Sequence, residues 1–116
     1  MKIIITSQGS RLDDQVDPRF GRAKQFILAD TESGQFAAHD NAQNLNAPQG
    51  AGIQAAQAAA RLGAEAVLTG HVGPKAFAAL SAAGIKVGQD LDGLTVAEAV
   101  ERYRAGQVPM AAGPNK

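Results

Sequence analysis

The sequence contains no cysteine among its 116 residues. This absence excludes disulfide bonds, thiolate metal ligands and a cysteine nucleophile. Any metal ligand that the chain supplies has to be a histidine, a methionine, a carboxylate or a carbonyl group. Net charge is also absent, because 11 lysines and arginines balance 11 aspartates and glutamates. No overall field attracts the protein to nucleic acid or to an anionic membrane, so a surface that binds anions has to be local.

Long hydrophobic runs are missing as well. The N-terminal run consists of Ile3, Ile4 and Ile5 after Lys2, which is too short for a signal peptide or a membrane span. We therefore expect a cytoplasmic protein without a membrane partner. The length fits one domain with a single core, which buries about two-thirds of the surface of the unfolded chain.

The first forty residues contain three strand patterns and one long loop. The β-branched run at 2–6 is typical of a strand that is buried on both faces. Residues 7–24 combine glycine, proline and seven charged residues without a helical or a strand period, which predicts a long loop. The segments 25–30 and 35–40 flank a glycine-containing turn and predict a β-hairpin.

Helix and strand patterns alternate in the rest of the chain. A second turn-rich loop at 41–52 leads into an alanine-rich helix at about 52–62, on which Ile53, Ala56 and Ala60 are expected to share one face. The later elements are a strand at 65–70, a helix at 74–84, a strand at 85–88 and a last helix that begins at a capping box of Thr95 and Glu98.

The order of these elements, βββαβαβα, predicts a mixed sheet. A tight hairpin joins antiparallel strands, whereas helical crossovers join parallel ones. We therefore predict a single α/β domain at 1–106, with a five-stranded sheet of order 3-2-1-4-5, strand 2 antiparallel and helices on both faces. Ligands of open α/β sheets bind where the strand order changes direction, here between the first and fourth strands. Residues 107–116 have no period and contain two prolines, which predicts a mobile tail.

Five motifs in the same order resemble one protein family. They are RFGRA at 19–23, GAGIQAAQ at 50–57, TGHVGPKAFAAL at 69–80, AAGIKV at 82–87 and TVAEAVERYRAG at 95–106. Together they resemble the dinitrogenase iron–molybdenum cofactor biosynthesis family over nearly the whole chain. This resemblance implies a ribonuclease-H-like fold and the binding or carrying of an anionic metal–sulfur cluster. Within the family, the chain is most similar to a small cysteine-free member that holds a molybdenum–copper sulfide cluster without covalent attachment.

The chemistry of such a cluster is compatible with the absence of cysteine. A preassembled molybdenum–copper sulfide cluster, or a related iron–molybdenum–sulfur cluster, brings its own sulfides, so charge, hydrogen bonds and shape suffice to hold it. Two helices are expected to begin directly after glycine-bearing loops, and helix N-termini present N–H groups and a positive dipole end to an anion. The candidate cluster-binding residues are Gly50, Gly52, Gly70, His71, Gly73, Lys75, Arg11, Arg19 and Arg22. His71 is in addition a candidate outer-sphere or weak metal ligand.

Each of these features also has a plainer interpretation. Glycines at strand–helix turns are favoured by backbone geometry alone. A histidine such as His71 at the end of a strand is also common as a partly exposed turn residue. In the first loop, Asp13, Asp14 and Asp17 neutralise much of the charge of the arginines. His39 is expected to be solvated.

We predict a carrier without catalytic activity. Nucleases with the ribonuclease H fold place carboxylates on central strands to hold two divalent ions. Here the runs IIITS at 3–7 and AVLTG at 66–70 end without a carboxylate, and a shared fold does not transfer catalysis. The alternative is a regulatory or scaffold module that binds a small anion or a partner protein at the same turns. We expect a monomer whose partners are the cluster and the proteins that receive it.

Overall fold

Eight helices and strands form the fold within residues 1–41 and 51–115, the part of the chain described by the structure, which is a computed structural model. In chain order they are β1 (Lys2–Ser7), β2 (Gln25–Asp30), β3 (Phe36–Asp40), α1 (Ala51–Arg61), β4 (Ala66–Leu68), α2 (Pro74–Ala82), β5 (Lys86–Gly88) and α3 (Val96–Arg104). This order is the predicted βββαβαβα. Within the described residues, no helix is long and apolar enough to cross a membrane.

The five strands form one mixed sheet in the order β3-β2-β1-β4-β5. β1 is antiparallel to β2 and parallel to β4, so that Ile4 lies between Leu28 and Val67. β3 is antiparallel to β2, and β5 is parallel to β4. The predicted strand order, with strand 2 antiparallel to the others, is therefore confirmed. The ribonuclease-H-like relationship implied by the resemblance stays a prediction.

Alternate residues of β1 point into two separate core layers. Ile4 belongs to the layer under α1 and α2, whereas Ile3 and Ile5 pack with Val96 of α3 on the opposite face. All three isoleucines are fully buried. This alternation is the period-two geometry of a strand. Helices therefore cover both faces of the sheet, as predicted.

The buried face of α1 differs from the predicted one. Ala55, Ala56 and Ala59 are at most 2% exposed, and their small side chains let the helix lie close to the sheet. Of the three residues predicted to share this face only Ala56 is buried, because Ile53 is 37% exposed and Ala60 is also exposed. Ile53 lies in the first turn of the helix, where it borders a depression instead of packing on the sheet.

The loop predicted at 7–24 is confirmed as irregular backbone, with isolated bridges only. It is nevertheless anchored in the core, because Val16, Phe20 and Ala23 are at most 1% exposed. The N–H of Val16 also donates to the carbonyl of Leu94, with N and O 2.9 Å apart. These anchors are spaced without a period, so the sequence pattern did not reveal them.

The tail after α3 packs along β5. Val108 is 9% exposed within the core layer of α3, and the N–H of Ala111 donates to the carbonyl of Val87 at 2.8 Å. The mobility of residues 107–116 stays a prediction, which hydrogen exchange can test. The contacts of residues 107–115 favour a fixed tail.

The predicted capping box begins α3. The Oγ1 of Thr95 accepts a hydrogen bond from the N–H of Glu98 at 3.1 Å, and the Oε1 of Glu98 accepts one from the N–H of Thr95 at 2.9 Å. The backbone N–H of Thr95 stabilises the carboxylate and holds the pKa of Glu98 below its usual value. Two of the free donors at this helix end are thereby satisfied.

Candidate functional site

The carboxyl ends of β1 and β4 lie side by side at the centre of the sheet. The hydroxyls of Thr6 and Thr69 are 2.7 Å apart, and Thr6 donates to the carbonyl of Asp17 at 2.9 Å. Both threonines are fully buried. The loops after the two strands meet beyond them, where Arg19 and His71 form an isolated bridge. Both loops therefore reach the point where the strand order changes direction, as predicted.

The backbone of His71 holds the first loop in place. Its N–H donates to the carbonyl of Pro18 at 2.7 Å, and its carbonyl accepts from the N–H of Phe20 at 3.1 Å. Gly70 lies so close to this loop that an added Cβ would be 2.7 Å from the Cα and the O of Pro18. Packing between the two loops therefore explains the glycine at position 70.

Asp17 shapes the same loop from inside. Its side chain is almost fully buried, and its Oδ1 accepts a hydrogen bond from the N–H of Arg19 at 2.9 Å. The guanidinium Nε of Arg19 lies 3.9 Å from the same oxygen. The carboxylate therefore offsets part of the charge of Arg19, whose side chain is 56% exposed and reaches the surface.

Two adjoining depressions open beyond the loops, and we call them together the interhelix cleft. The larger has a volume of about 410 Å³ and is lined by Phe20, Gly21, Gly52, Ile53, Gly73, Pro74, Lys75 and Ala76. The smaller, of about 130 Å³, is lined by Arg19, Phe20, Gly21, Arg22, His71 and Gly73. One end of the cleft is thus mainly apolar, and the other is cationic.

Phe20 gives this cleft a rigid floor. Its ring is 1% exposed and stacks on Phe26 of β2, with ring centroids 5.8 Å apart. Stacked rings in a core hold each other in place. Phe20 lines both depressions, so the same side chain underlies the apolar and the cationic ends.

The two described glycines at the helix starts have different surroundings. An added Cβ on Gly52 would be 2.9 Å from the Cβ of Ala76, so the close approach of α1 and α2 explains this glycine. An added Cβ on Gly73 would meet nothing within 4 Å, and its φ of −74° suits any residue. Neither packing nor backbone conformation accounts for Gly73, which borders both depressions.

The start of α2 presents backbone donors to the cleft. Gly73 is the N-cap residue, no side chain caps the helix, and Pro74 occupies its first turn. The first N–H groups of a helix have no partner within the helix, and its dipole makes this end positive. The cleft therefore combines N–H donors with the cationic side chains of Arg19, Arg22 and Lys75.

The structure brings together most of the predicted site residues. Gly52, Gly73, Lys75, His71, Arg19 and Arg22 line the interhelix cleft, and Gly70 lies buried behind it. Arg11 does not line either depression, and Gly50 lies outside the described residues. Sequence reasoning missed the apolar lining of Phe20, Gly21, Ile53, Pro74 and Ala76.

Arg11 is engaged elsewhere on the first loop. Its Nε lies 3.2 Å from the Oδ1 of Asp13, and its N–H donates to the Oδ2 of Asp14 at 3.0 Å. The neighbouring Leu12 accepts a hydrogen bond from the N–H of Ala97 in the first turn of α3. Two of the three acidic residues of the loop therefore lie with Arg11, and only Asp17 contacts a cation of the cleft.

Nothing in the described part of the chain indicates a metal ion that is bound by protein groups alone. Among residues 1–41 and 51–115, no three histidine or acidic side chains lie close enough together to hold one. His71 has the cations Arg19 and Arg22 as fellow lining residues, which is the environment of an anion site. The arrangement is therefore chemically suited to the binding of an anion.

A family model described as dinitrogenase iron-molybdenum cofactor matches residues 1–106. The chain belongs to this family. The resemblance inferred from the five motifs is therefore confirmed. All residues that line the interhelix cleft of this family member lie within the matched range.

Two solved structures are similar to this family member over nearly the whole chain. The apo form of the orange protein from Desulfovibrio gigas is 57% identical with a TM-score of 0.98, covering 99% of this chain and 96% of its own. A putative NifB protein from Thermotoga, assigned to the DUF35 family, is 34% identical with a TM-score of 0.80, covering 94% and 91%. The first of these confirms the resemblance to the small cysteine-free member of the family.

The chain is also similar to a more distant relative. An uncharacterized protein of Methanocaldococcus jannaschii is 30% identical over 89 residues, which are 75% of this chain and 72% of that protein.

Proposed function

We propose that this protein binds and carries, without catalysis, a preassembled anionic metal–sulfide cluster of the molybdenum–copper or iron–molybdenum type. The observation that carries this proposal is the interhelix cleft, which has an apolar end, a cationic end and uncapped helix N–H groups between them. Membership of the dinitrogenase iron-molybdenum cofactor family and the similarity to the orange protein support it.

The two ends of the cleft suit the two properties of such a cluster. Metal-bound sulfide is soft and weakly hydrated, so it packs against apolar groups such as Ile53 and Ala76 at low cost. The negative charge of the cluster is balanced by Arg19, Arg22 and Lys75 and by the dipole of α2. The volume of about 410 Å³ lies in the range of sites for small molecules. Shape and charge thus replace the thiolate ligands that the chain lacks.

Gly73 and His71 have distinct roles in this proposal. The open space at Gly73 lets the cluster lie against the backbone at the start of α2. His71 acts as a hydrogen-bond donor or weak outer-sphere ligand, because the sulfides already fill the coordination of the metals. Gly50 stays a predicted contact. Arg11 is left out of this proposal because it lines neither depression.

Reconstitution from inorganic reagents tests this function. Apo protein is titrated with tetrathiomolybdate and a copper salt, and uptake is followed by visible absorption and metal analysis. We expect one cluster per chain in the wild type and about tenfold weaker uptake by His71→Ala, the scale of one hydrogen bond to a charged group. Far-ultraviolet circular dichroism should stay unchanged.

His39→Ala is the matched control for this experiment. His39 is the other histidine of the chain and lines a separate depression of about 230 Å³ beside Asp40 and Arg61. Its loss should leave uptake at the wild-type level. Equal uptake by His71→Ala and wild type would remove His71 from the site and leave the glycines, the cationic side chains and the dipole of α2.

The alternative function, binding of a small anion by a regulatory module, has support from the smaller depression alone. Arg19, Arg22 and His71 surround a volume of about 130 Å³ that suits a single oxyanion. Titration with inorganic phosphate separates the two functions. Saturation by phosphate together with failure to retain the thiomolybdate–copper product would favour the regulatory module.

We further propose that the carrier is a cytoplasmic monomer that passes its cluster to a recipient protein. The absence of a long apolar run is the sequence feature that supports the cytoplasmic location. Sedimentation of apo and reconstituted protein should give one species of the mass of a single chain.

A further inference from the structure

The C-terminal tail comes from the α3 side of the sheet and reaches the turn after β4, which carries His71. It leaves α3, forms a bridge between Met110 and Gly88 on β5, and continues to the turn after β4. Along this path the side chain of Gln89 donates to the carbonyl of Gly113, with Nε2 and O 3.0 Å apart. Residues 107–115 lie beyond the part of the chain that the family model matches.

The side chain of Asn115 ends this path with three hydrogen bonds. Its Oδ1 accepts from the N–H of Val72 at 2.9 Å, and its Nδ2 donates to the carbonyl of Gly70 and to the Oδ1 of Asp90, each at 3.0 Å. An asparagine amide offers both a carbonyl acceptor and an NH₂ donor, and both are used here. Asn115 therefore bonds the turn at 70–72 much as a neighbouring strand would.

The turn that carries His71 is thus held from two sides. The N–H and the carbonyl of His71 bond the first loop, at Pro18 and Phe20. On the other side, Asn115 satisfies the N–H of Val72, a residue that is fully buried. A buried N–H that loses its partner is costly, so the backbone would shift to find another. Such a shift would move the side chain of His71 relative to Arg19.

We propose that Asn115 is a positioning residue of the interhelix cleft, on the basis that this cleft binds the cluster as described above. By fixing residues 70–72, it places the imidazole of His71 at the cationic end of the cleft. The tail therefore acts on the cleft through the turn at 70–72, and Asn115 does not line the cleft itself.

Asn115→Ala, alone and combined with His71→Ala, tests this role. Each variant is titrated with tetrathiomolybdate and copper, and bound cluster is followed by visible absorption and visible circular dichroism, which reports the asymmetry of its surroundings. We expect about fivefold weaker uptake by Asn115→Ala, the scale of one misplaced hydrogen bond. We also expect an altered visible dichroism. The double variant should bind no more weakly than His71→Ala, because Asn115 acts through His71.

Two further variants keep the experiment decisive. Gln107→Ala removes an exposed amide from the other end of the tail and should match the wild type. Asn115→Leu keeps the approximate size of the side chain but removes both the acceptor for Val72 and the NH₂ donor, so it should show the same weakening if Asn115→Ala folds poorly. Far-ultraviolet circular dichroism identifies any variant that is not folded.

The possible results of this experiment separate the positioning role of Asn115 from the carrier function. Wild-type uptake by Asn115→Ala, with His71→Ala weakened, would overturn the positioning role and leave the carrier function intact. Additive losses in the double variant would show that Asn115 acts independently of His71 and would also overturn the role. Failure of the wild type to retain any cluster would remove the carrier function and the positioning role together.

Discussion

Gly70→Ala is expected to destabilise the protein by about 3 kcal/mol, because its Cβ would collide with the backbone of the first loop. The new carbon would lie 2.7 Å from the Cα and the O of Pro18, whereas an ordinary contact needs at least 3.4 Å. The two segments would have to separate by about 0.7 Å. Backbone atoms cannot rotate away as a flexible side chain does.

The expected destabilisation by Gly70→Ala has two sources, overpacking and weakened hydrogen bonds, which act at the same place. Overpacking in a well-packed region costs about 1–3 kcal/mol. The same separation stretches the hydrogen bonds from His71 to Pro18 and from Phe20 to His71, each of which contributes about 1 kcal/mol. For a domain of 116 residues, a loss of about 3 kcal/mol lowers the melting temperature by about 10 °C.

Gly73→Ala is the matched control, because both glycines flank the same histidine. Its Cβ would meet nothing within 4 Å, so we expect a change of at most about 1 kcal/mol, from the poorer N-cap preference of alanine. Thermal and urea unfolding of both variants and the wild type measure the difference. If Gly70→Ala melts within about 2 °C of the wild type, or if Gly73→Ala loses as much stability as Gly70→Ala, the assignment of Gly70 to packing is refuted.

Three further predictions concern α3, the acidic residues and catalysis. Thr95→Ala should lower the free energy of unfolding by about 1 kcal/mol through loss of the capping box, and Thr95→Ser should restore most of it in urea unfolding. Backbone N–H groups, foremost that of Glu32, lower the pKa of Asp30, and the Thr95 N–H lowers the pKa of Glu98. The two ionised carboxylates therefore stabilise the fold at pH values above their unfolded pKa values, and this stabilisation is lost as pH falls through their folded pKa values. The free energy of unfolding should accordingly depend less on pH between about pH 5 and pH 3 in Asp30→Asn and Glu98→Gln than in the wild type. No cleavage of RNA, DNA or hybrid dependent on Mg²⁺ or Mn²⁺ is expected, since β1 ends in Thr6 and Ser7 and β4 is followed by Thr69 and Gly70, without a carboxylate at either place. Turnover that survives repurification would contradict this.

The strand order of the sheet could be predicted because short stretches of sequence determine how successive strands are connected. Short turns, helical crossovers and the β-branched run at 2–6 were enough to fix the strand order. The face of α1 could not be predicted in the same way. Ile53 has the hydrophobicity of a core residue, but it lies in the first helical turn beside the cleft, and only the position of the helix on the sheet reveals this. The burial of Val16 and Phe20 could not be predicted, because irregular backbone imposes no period on its buried residues.

The site was only partly predictable for a related reason. Gly70 and Gly73 look alike in the sequence, and they differ in what lies opposite each of them. Arg11 and Arg19 belong to the same loop, yet of the two only Arg19 lines the cleft, and no local pattern marks this difference. Asn115 contacts residues 43 and 45 positions earlier in the chain, and no local pattern encodes that distance.

The covering of β5 by the tail also affects how the protein behaves at high concentration. An uncovered edge strand offers unpaired backbone groups to any other molecule with a free strand, and this is a route to aggregation. Here the carbonyl of Val87 is already bonded to Ala111, and Val108 fills the space beside Gly88. A protein whose tail is removed or displaced would expose this edge together with an apolar patch. The solubility of the intact protein should therefore depend on a segment that lies outside the five strands of the sheet.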